Sequence, residues 1–100
     1  QSRSSAASDV YKRQGWDDDD EYECLVQIWT RESGWRWNAE NTSSGAYGIP
    51  QSLPGSKMAS AGQDWRDNAS TQIKWGLDYI LQRYKTPCGA WAVWQTRNWY

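Results

Sequence analysis

Glu32 is an acid in an apolar place. Leu25, Ile28, Trp29 and position 32 fall at i, i+3, i+4 and i+7, so one helical face carries three large apolar side chains and one carboxyl. Of the twelve acids in the chain, it alone lies on the apolar stripe of a predicted helix. Burial disfavours the ionised form of a carboxyl and raises its pKa. The partial negative charge of a helix C-terminus acts in the same direction. A carboxylic acid still protonated near neutral pH is the reagent that general-acid chemistry needs. A plainer reading stands beside this one: a helix-end glutamate turned to solvent, or paired with Arg31 or Arg36.

The other reactive side chains are few. Cys24 and Cys88 are the two cysteines, and histidine is absent. Two thiols without histidine cannot complete a four-ligand zinc site. They form either a disulfide or a pair of buried free thiols; the disulfide is the expectation, and with it an oxidising, extracellular or cell-wall setting. No metal and no cofactor is implied.

The elements that must hold Glu32 follow from the patterning. Asp17 to Asp20 and Glu21 put negative charge where a first helix should begin, and Ser33-Gly34 should end it. Residues 35–67 are punctuated by Asn38, Asn41, Gly45, Gly48, Pro50, Pro54 and Gly55, too many breakers for regular helix. A stretch of that length reads as a functional loop, with a short helix expected to open at Pro50 and another over Lys57 to Ala61. Asp67 or Asn68 should cap a second long helix. Ala69, Ile73, Leu77, Ile80 and Tyr84 mark its apolar stripe, with Gly76 beside it to admit a close neighbour. Pro87 bars continuation, and a last short helix is expected from Gly89 to Gln95. No strand-like alternation and no internal repeat are found. The class is all-α, with a long loop-rich segment and one disulfide.

Composition sets the outer limits. A chain of 100 residues has room for one domain, and a monomer is expected. Eleven basic and twelve acidic residues give a net charge of −1, which leaves no electrostatic footprint for nucleic acid and no basic patch for a membrane surface. No apolar run reaches transmembrane length, so no membrane insertion is expected. Nine Trp and six Tyr, with no Phe, supply the bulk that scarce aliphatic residues do not. Some of these rings should form the core, and others should line a cleft where they pack against sugars. Residues 1–14, polar and without apolar period, are expected to be a disordered and non-native leader; the domain should run from 15 to 100.

Glu32-Ser33-Gly34-Trp35 followed by Gly45-Ala46-Tyr47-Gly48-Ile49-Pro50-Gln51 resembles the signature of lytic transglycosylase domains of the lysozyme-like superfamily. The likeness covers Gly15 to Tyr100 and is closest to the small secreted actinobacterial type, with the run Leu53-Pro54-Gly55-Ser56-Lys57-Met58-Ala59-Ser60 and the Trp-Tyr ending. The resemblance implies a small lysozyme-like helical domain acting on peptidoglycan glycan strands. It implies cleavage of the β-1,4 bond between N-acetylmuramic acid and N-acetylglucosamine, with Glu32 as single acid and base and a 1,6-anhydro sugar as product. Ser33 would shape the end of the catalytic helix. Tyr47, Gly48, Ile49 and Gln51 would lie along the cleft, with the Gln51 amide on an acetamido or hydroxyl group. Trp94 and Gln95 stand where the family has a Tyr-Asn pair, and Pro50 where many members have methionine.

Two rival functions remain open at this point. A hydrolytic lysozyme would need a second acid to hold water, and Glu40 or Asp64 are the candidates. A non-catalytic, resuscitation-type module would bind wall glycan through its Trp residues without turning it over.

Overall fold

The computed structural model describes Tyr11, Lys12 and residues 19–97. Within residues 19–97 three α-helices follow in order: α1 (Asp19–Glu32), α2 (Ala69–Tyr84) and α3 (Pro87–Arg97), with a 3₁₀ helix (Gly55–Ser60) between the first two. The described residues contain no strand, only isolated antiparallel bridges between Glu40 and Tyr47 and between Tyr47 and Ser52. No helix among them is long and apolar enough to cross a membrane.

Each helix boundary has a local cause. At the end of α1 the chain turns through Gly34, whose N–H reaches back to the Thr30 carbonyl at 3.0 Å. Asn68 caps α2, its Oδ1 accepting from the Ser70 N–H at 2.9 Å and the Thr71 N–H at 3.4 Å. Thr86 caps α3 in the same way through the Gly89 N–H at 3.0 Å. Pro87 therefore does more than stop α2. It opens α3 two residues ahead of the expected Gly89 start, since the first turn of a helix needs no N–H from it.

Leu25, Ile28 and Trp29 of α1 pack with Ile73, Leu77 and Ile80 of α2 and Ala90 of α3, all buried, and Trp35 and Ile49 from the loop close the same core. Gly76 makes the approach of α1 and α2 possible. A Cβ there would stand 2.4 Å from Cζ2 of Trp29, a backbone-mounted clash with a buried ring that has nowhere to go. Cys24 and Cys88 form a disulfide with a Cα–Cα distance of 4.9 Å, tying α1 to α3. Closing 64 residues of chain corresponds to about 4 kcal/mol in the chain-entropy description.

One expectation needs correction. Pro50 opens no helix: it sits in a turn that returns the chain from Tyr47 to Ser52, with the N–H of each bonded to the carbonyl of the other at 3.0 Å. The 3₁₀ helix overlaps the separate short helix expected over Lys57 to Ala61 and begins two residues earlier, at Gly55. Most of the expected leader, like the Trp-Tyr ending, lies outside the described residues. Tyr11, within it, is helical, 3% exposed and edge-on to Tyr22 at 5.1 Å. A domain poor in aliphatic side chains recruits this ring into its core from upstream of position 15.

Candidate active site

The last residue of α1 opens into a cleft of about 380 Å³, within the range of ligand sites at roughly 300–1,000 Å³. Glu32 lines it from α1; Trp75, Tyr79 and Arg83 line it from α2; Lys57 comes from the 3₁₀ helix, and Gln51, Ser52 and Leu53 from the loop. Helical phase places Glu32 here. It continues the face of Leu25, Ile28 and Trp29, and where that face runs off the end of the core it meets open space.

Glu32 is half-buried, and loss of hydration pushes its carboxyl above the usual range. The indole of Trp94 opposes this in part, donating from Nε1 to Oε2 of Glu32 at 2.8 Å. An indole N–H can only donate, so when Glu32 is protonated Oε2 is the oxygen that accepts and Oε1 carries the proton. One residue of α3 thus orients the acid at the end of α1. Neither arginine considered as a partner pairs with Glu32. Arg31 donates to Oε1 of Gln27 at 2.8 Å and lies over the Trp91 ring, and Arg36 donates to the Ser33 carbonyl at 2.9 Å.

Ser33 is buried and joins the end of α1 to the loop. Its hydroxyl donates to the Ile49 carbonyl at 2.8 Å and accepts from the Trp35 N–H at 3.1 Å. Tyr47, Gly48 and Ile49 stand behind the cleft and do not line it. The Tyr47 ring packs edge-on against Trp65 and its hydroxyl donates to the Arg66 carbonyl at 2.9 Å, while Ile49 enters the core. The bridges of Tyr47 to Glu40 and Ser52 fix this facing. Gln51 does line the cleft, at φ 55°, a region costly for a residue with a Cβ. Its Nε2 is held by the carbonyls of Ala39 at 3.0 Å and Gly48 at 2.8 Å, so the group it can offer a ligand is the Oε1 acceptor. Gln95 is exposed and does not line the cleft.

The sequence reading missed the α2 wall. Trp75, Tyr79 and Arg83 recur every fourth residue, a second face beside the apolar stripe. Trp75 and Tyr79 stack with centroids 5.2 Å apart and planes 19° apart. That spacing was the signal. Aromatic residues near a core stripe usually belong to the core, so the spacing alone does not mark a cleft wall.

Glu32 is the one carboxylate among the residues that line the cleft. Glu40 is exposed and lies elsewhere. Asp64 is exposed and held below its usual range by the Thr71 hydroxyl and then by the Asn68 amide, at 2.8 and 2.7 Å, which ties it to the start of α2. Among the described residues no group of acids, cysteines or histidines could hold a metal ion. No protein-family model, curated protein or solved structure matches the chain.

Proposed function

We propose that this chain is a lysozyme-like lytic transglycosylase of bacterial cell-wall glycan, acting outside the cell. The observation that carries the reading is a single raised, half-buried carboxyl in a cleft walled by aromatic rings, with no second acid lining it. A glycosidase that uses water or a covalent intermediate requires two carboxyl groups flanking the bond. A transglycosylase requires one, because the attacking oxygen belongs to the substrate.

The steps balance on Glu32 alone. Its Oε1 proton passes to the glycosidic oxygen, the bond from that oxygen to the muramoyl C1 breaks, and the N-acetylglucosamine side leaves with a free 4-hydroxyl. Positive charge builds at C1. The muramoyl C6 hydroxyl then closes on C1 and returns its proton to the Glu32 carboxylate, giving the 1,6-anhydro ring without consuming water. The Trp94 N–H holds the carboxylate while it is charged. Lys57 and Arg83, also in the cleft lining, suit the carboxylates of wall glycan, which sit on the stem peptides or on muramoyl lactyl groups that carry no peptide. Mass spectrometry of digested peptidoglycan tests the reading: anhydro-ended fragments are expected, and reducing ends or an undigested wall would refute it.

Trp94→Phe provides a sharper check on the acid. Removing the N–H withdraws a bond that favours the charged form, so the Glu32 pKa rises further. The activity falls because the carboxyl is no longer oriented, and the alkaline limb of the pH–rate profile moves to higher pH. A limb that stays in place or moves to lower pH would show that another group titrates there.

A further inference from the structure

Arg31 and Glu32 are consecutive on α1, yet both address one residue of α3. Glu32 accepts from Nε1 of Trp94 at 2.8 Å, and the Arg31 guanidinium lies over the ring of the same indole, 5.9 Å from its centroid. That guanidinium also lies over Trp91, 5.0 Å from the ring centroid. Trp91 and Trp94, one turn apart on α3, are themselves stacked, with centroids 5.7 Å apart and planes 23° apart. Arg31 is tied back to its own helix, donating to Oε1 of Gln27 at 2.8 Å. Gln27, Arg31, Trp91 and Trp94 thus form a continuous run of contacts that ends on the acid. None of them lines the cleft.

The stack acts on Trp94 in two ways. This indole is half-buried near the end of α3, where a ring left unsupported would pivot and carry its N–H off the carboxyl. A neighbouring ring and a flat cation hold it in place; a guanidinium is the basic group shaped for such stacking. The second effect is electronic. A cation over an indole is attracted by the π electrons, and drawing that density toward it makes the N–H a stronger donor. We propose that Arg31 and Trp91 are positioning residues for the acid: their stack sets the direction and donor strength of the Trp94 N–H and, through it, the orientation of Glu32. The inference rests on the role of Glu32 in the proposed function.

The charged and titratable groups about Glu32 are Arg31 beside it on α1, Tyr79 and Arg83 from α2, Lys57 from the 3₁₀ helix, and Arg97 one turn beyond Trp94 on α3. Arg31→Gln removes the stacked cation. Trp91→Leu removes the stacked ring and leaves every one of those groups in place. In the whole chain, kcat on peptidoglycan should fall by about two- to five-fold in either variant, the scale of an exposed cation–π contact. KM should change little, and the alkaline limb of the pH–rate profile should move to higher pH, because the charged carboxylate has lost support. The indole N–H resonance of Trp94, identified by its absence in Trp94→Phe, should exchange with solvent faster by a similar factor. In a Trp94→Phe background neither substitution should alter rate or limb further, since the route runs through the indole. An Arg31→Gln effect that persists in that background would overturn the proposal, because the charge would then act on Glu32 directly. Unchanged exchange at Trp94 would overturn it too. That exchange is read without substrate, whereas failure of the wall-glycan reading shows separately, as a parent protein that yields no anhydro-ended fragments. A thermal melt of each variant shows that the fold is retained.

Discussion

Glu32→Gln is expected to slow wall-glycan cleavage by roughly 10²–10⁴-fold, the range that a positioned general acid contributes, while glycan affinity is kept. The substitution preserves volume, and the amide oxygen of Gln can still accept from Nε1 of Trp94, so the floor of the cleft is retained. What is lost is a proton to give and a site to return it to. A binding module would be nearly indifferent to the change, and a cleavage rate within a few-fold of the parent would assign the chain to that class. Stability supplies an independent readout with a definite sign. Because burial raises the folded-state pKa of Glu32, the native protein holds a proton that the unfolded chain has already released between the two pKa values. The stabilising contribution of this carboxyl is therefore full below the unfolded pKa and is lost as pH rises through the folded one. The melting temperature of the Gln variant relative to the parent should increase from acid to neutral pH. An activity loss accompanied by a lower melting temperature at neutral pH would mean that the carboxylate is structural.

How much of this arrangement the residues announce depends on whether a period exists to read. α1 and α2 are legible because Leu25, Ile28, Trp29 and Ile73, Leu77, Ile80 repeat at helical spacing, and a period fixes which side faces inward. Glu32 is found by the same phase argument, and Cys24 with Cys88 by elimination. The loop has no period, so nothing in it says which side chains face the cleft. The family resemblance implies that Tyr47 and Ile49 lie along the cleft, but both are buried, with Tyr47 bridged to Glu40 and Ser52. Pro50 is a good first residue for a helix, but Gly48 at φ 81° and Gln51 at φ 55° bend the chain back on either side of it. The wall of Trp75 and Tyr79 was visible as a spacing and invisible as a function, since a sequence does not say which of two apolar faces of one helix will be covered.

Gln72→Leu should destabilise the protein by about 3 kcal/mol or more, enough to lower the melting temperature by roughly 12–24 °C in a domain of this size. The side chain is fully buried, with 0% exposure, and all of its bonds go to backbone of the long loop or its end. Oε1 accepts from the Ile49 N–H at 2.9 Å, and Nε2 donates to the carbonyls of Trp37 at 3.0 Å and Trp65 at 2.8 Å. Gly48 rests against the same amide, where a Cβ would come within 2.7 Å of Oε1. Leucine fills the volume and satisfies none of these groups, and each buried polar group left unmet costs about 1–3 kcal/mol. A Glu at this position tests the donors separately: its carboxylate would face the Trp37 and Trp65 carbonyls, so its folded-state pKa should be raised and its stability should decline as pH rises. The Ile49 amide should lose hydrogen-exchange protection in both variants before the helices do, because the loop and not the helical core is what Gln72 secures. Activity should fall with that protection even where the helices remain folded, since Gln51, Ser52, Leu53 and Lys57 reach the cleft from the same loop. A Gln72→Leu protein that melts within two or three degrees of the parent, with the Ile49 amide still protected, would mean that the loop is held by other contacts and that the cleft wall does not depend on this amide.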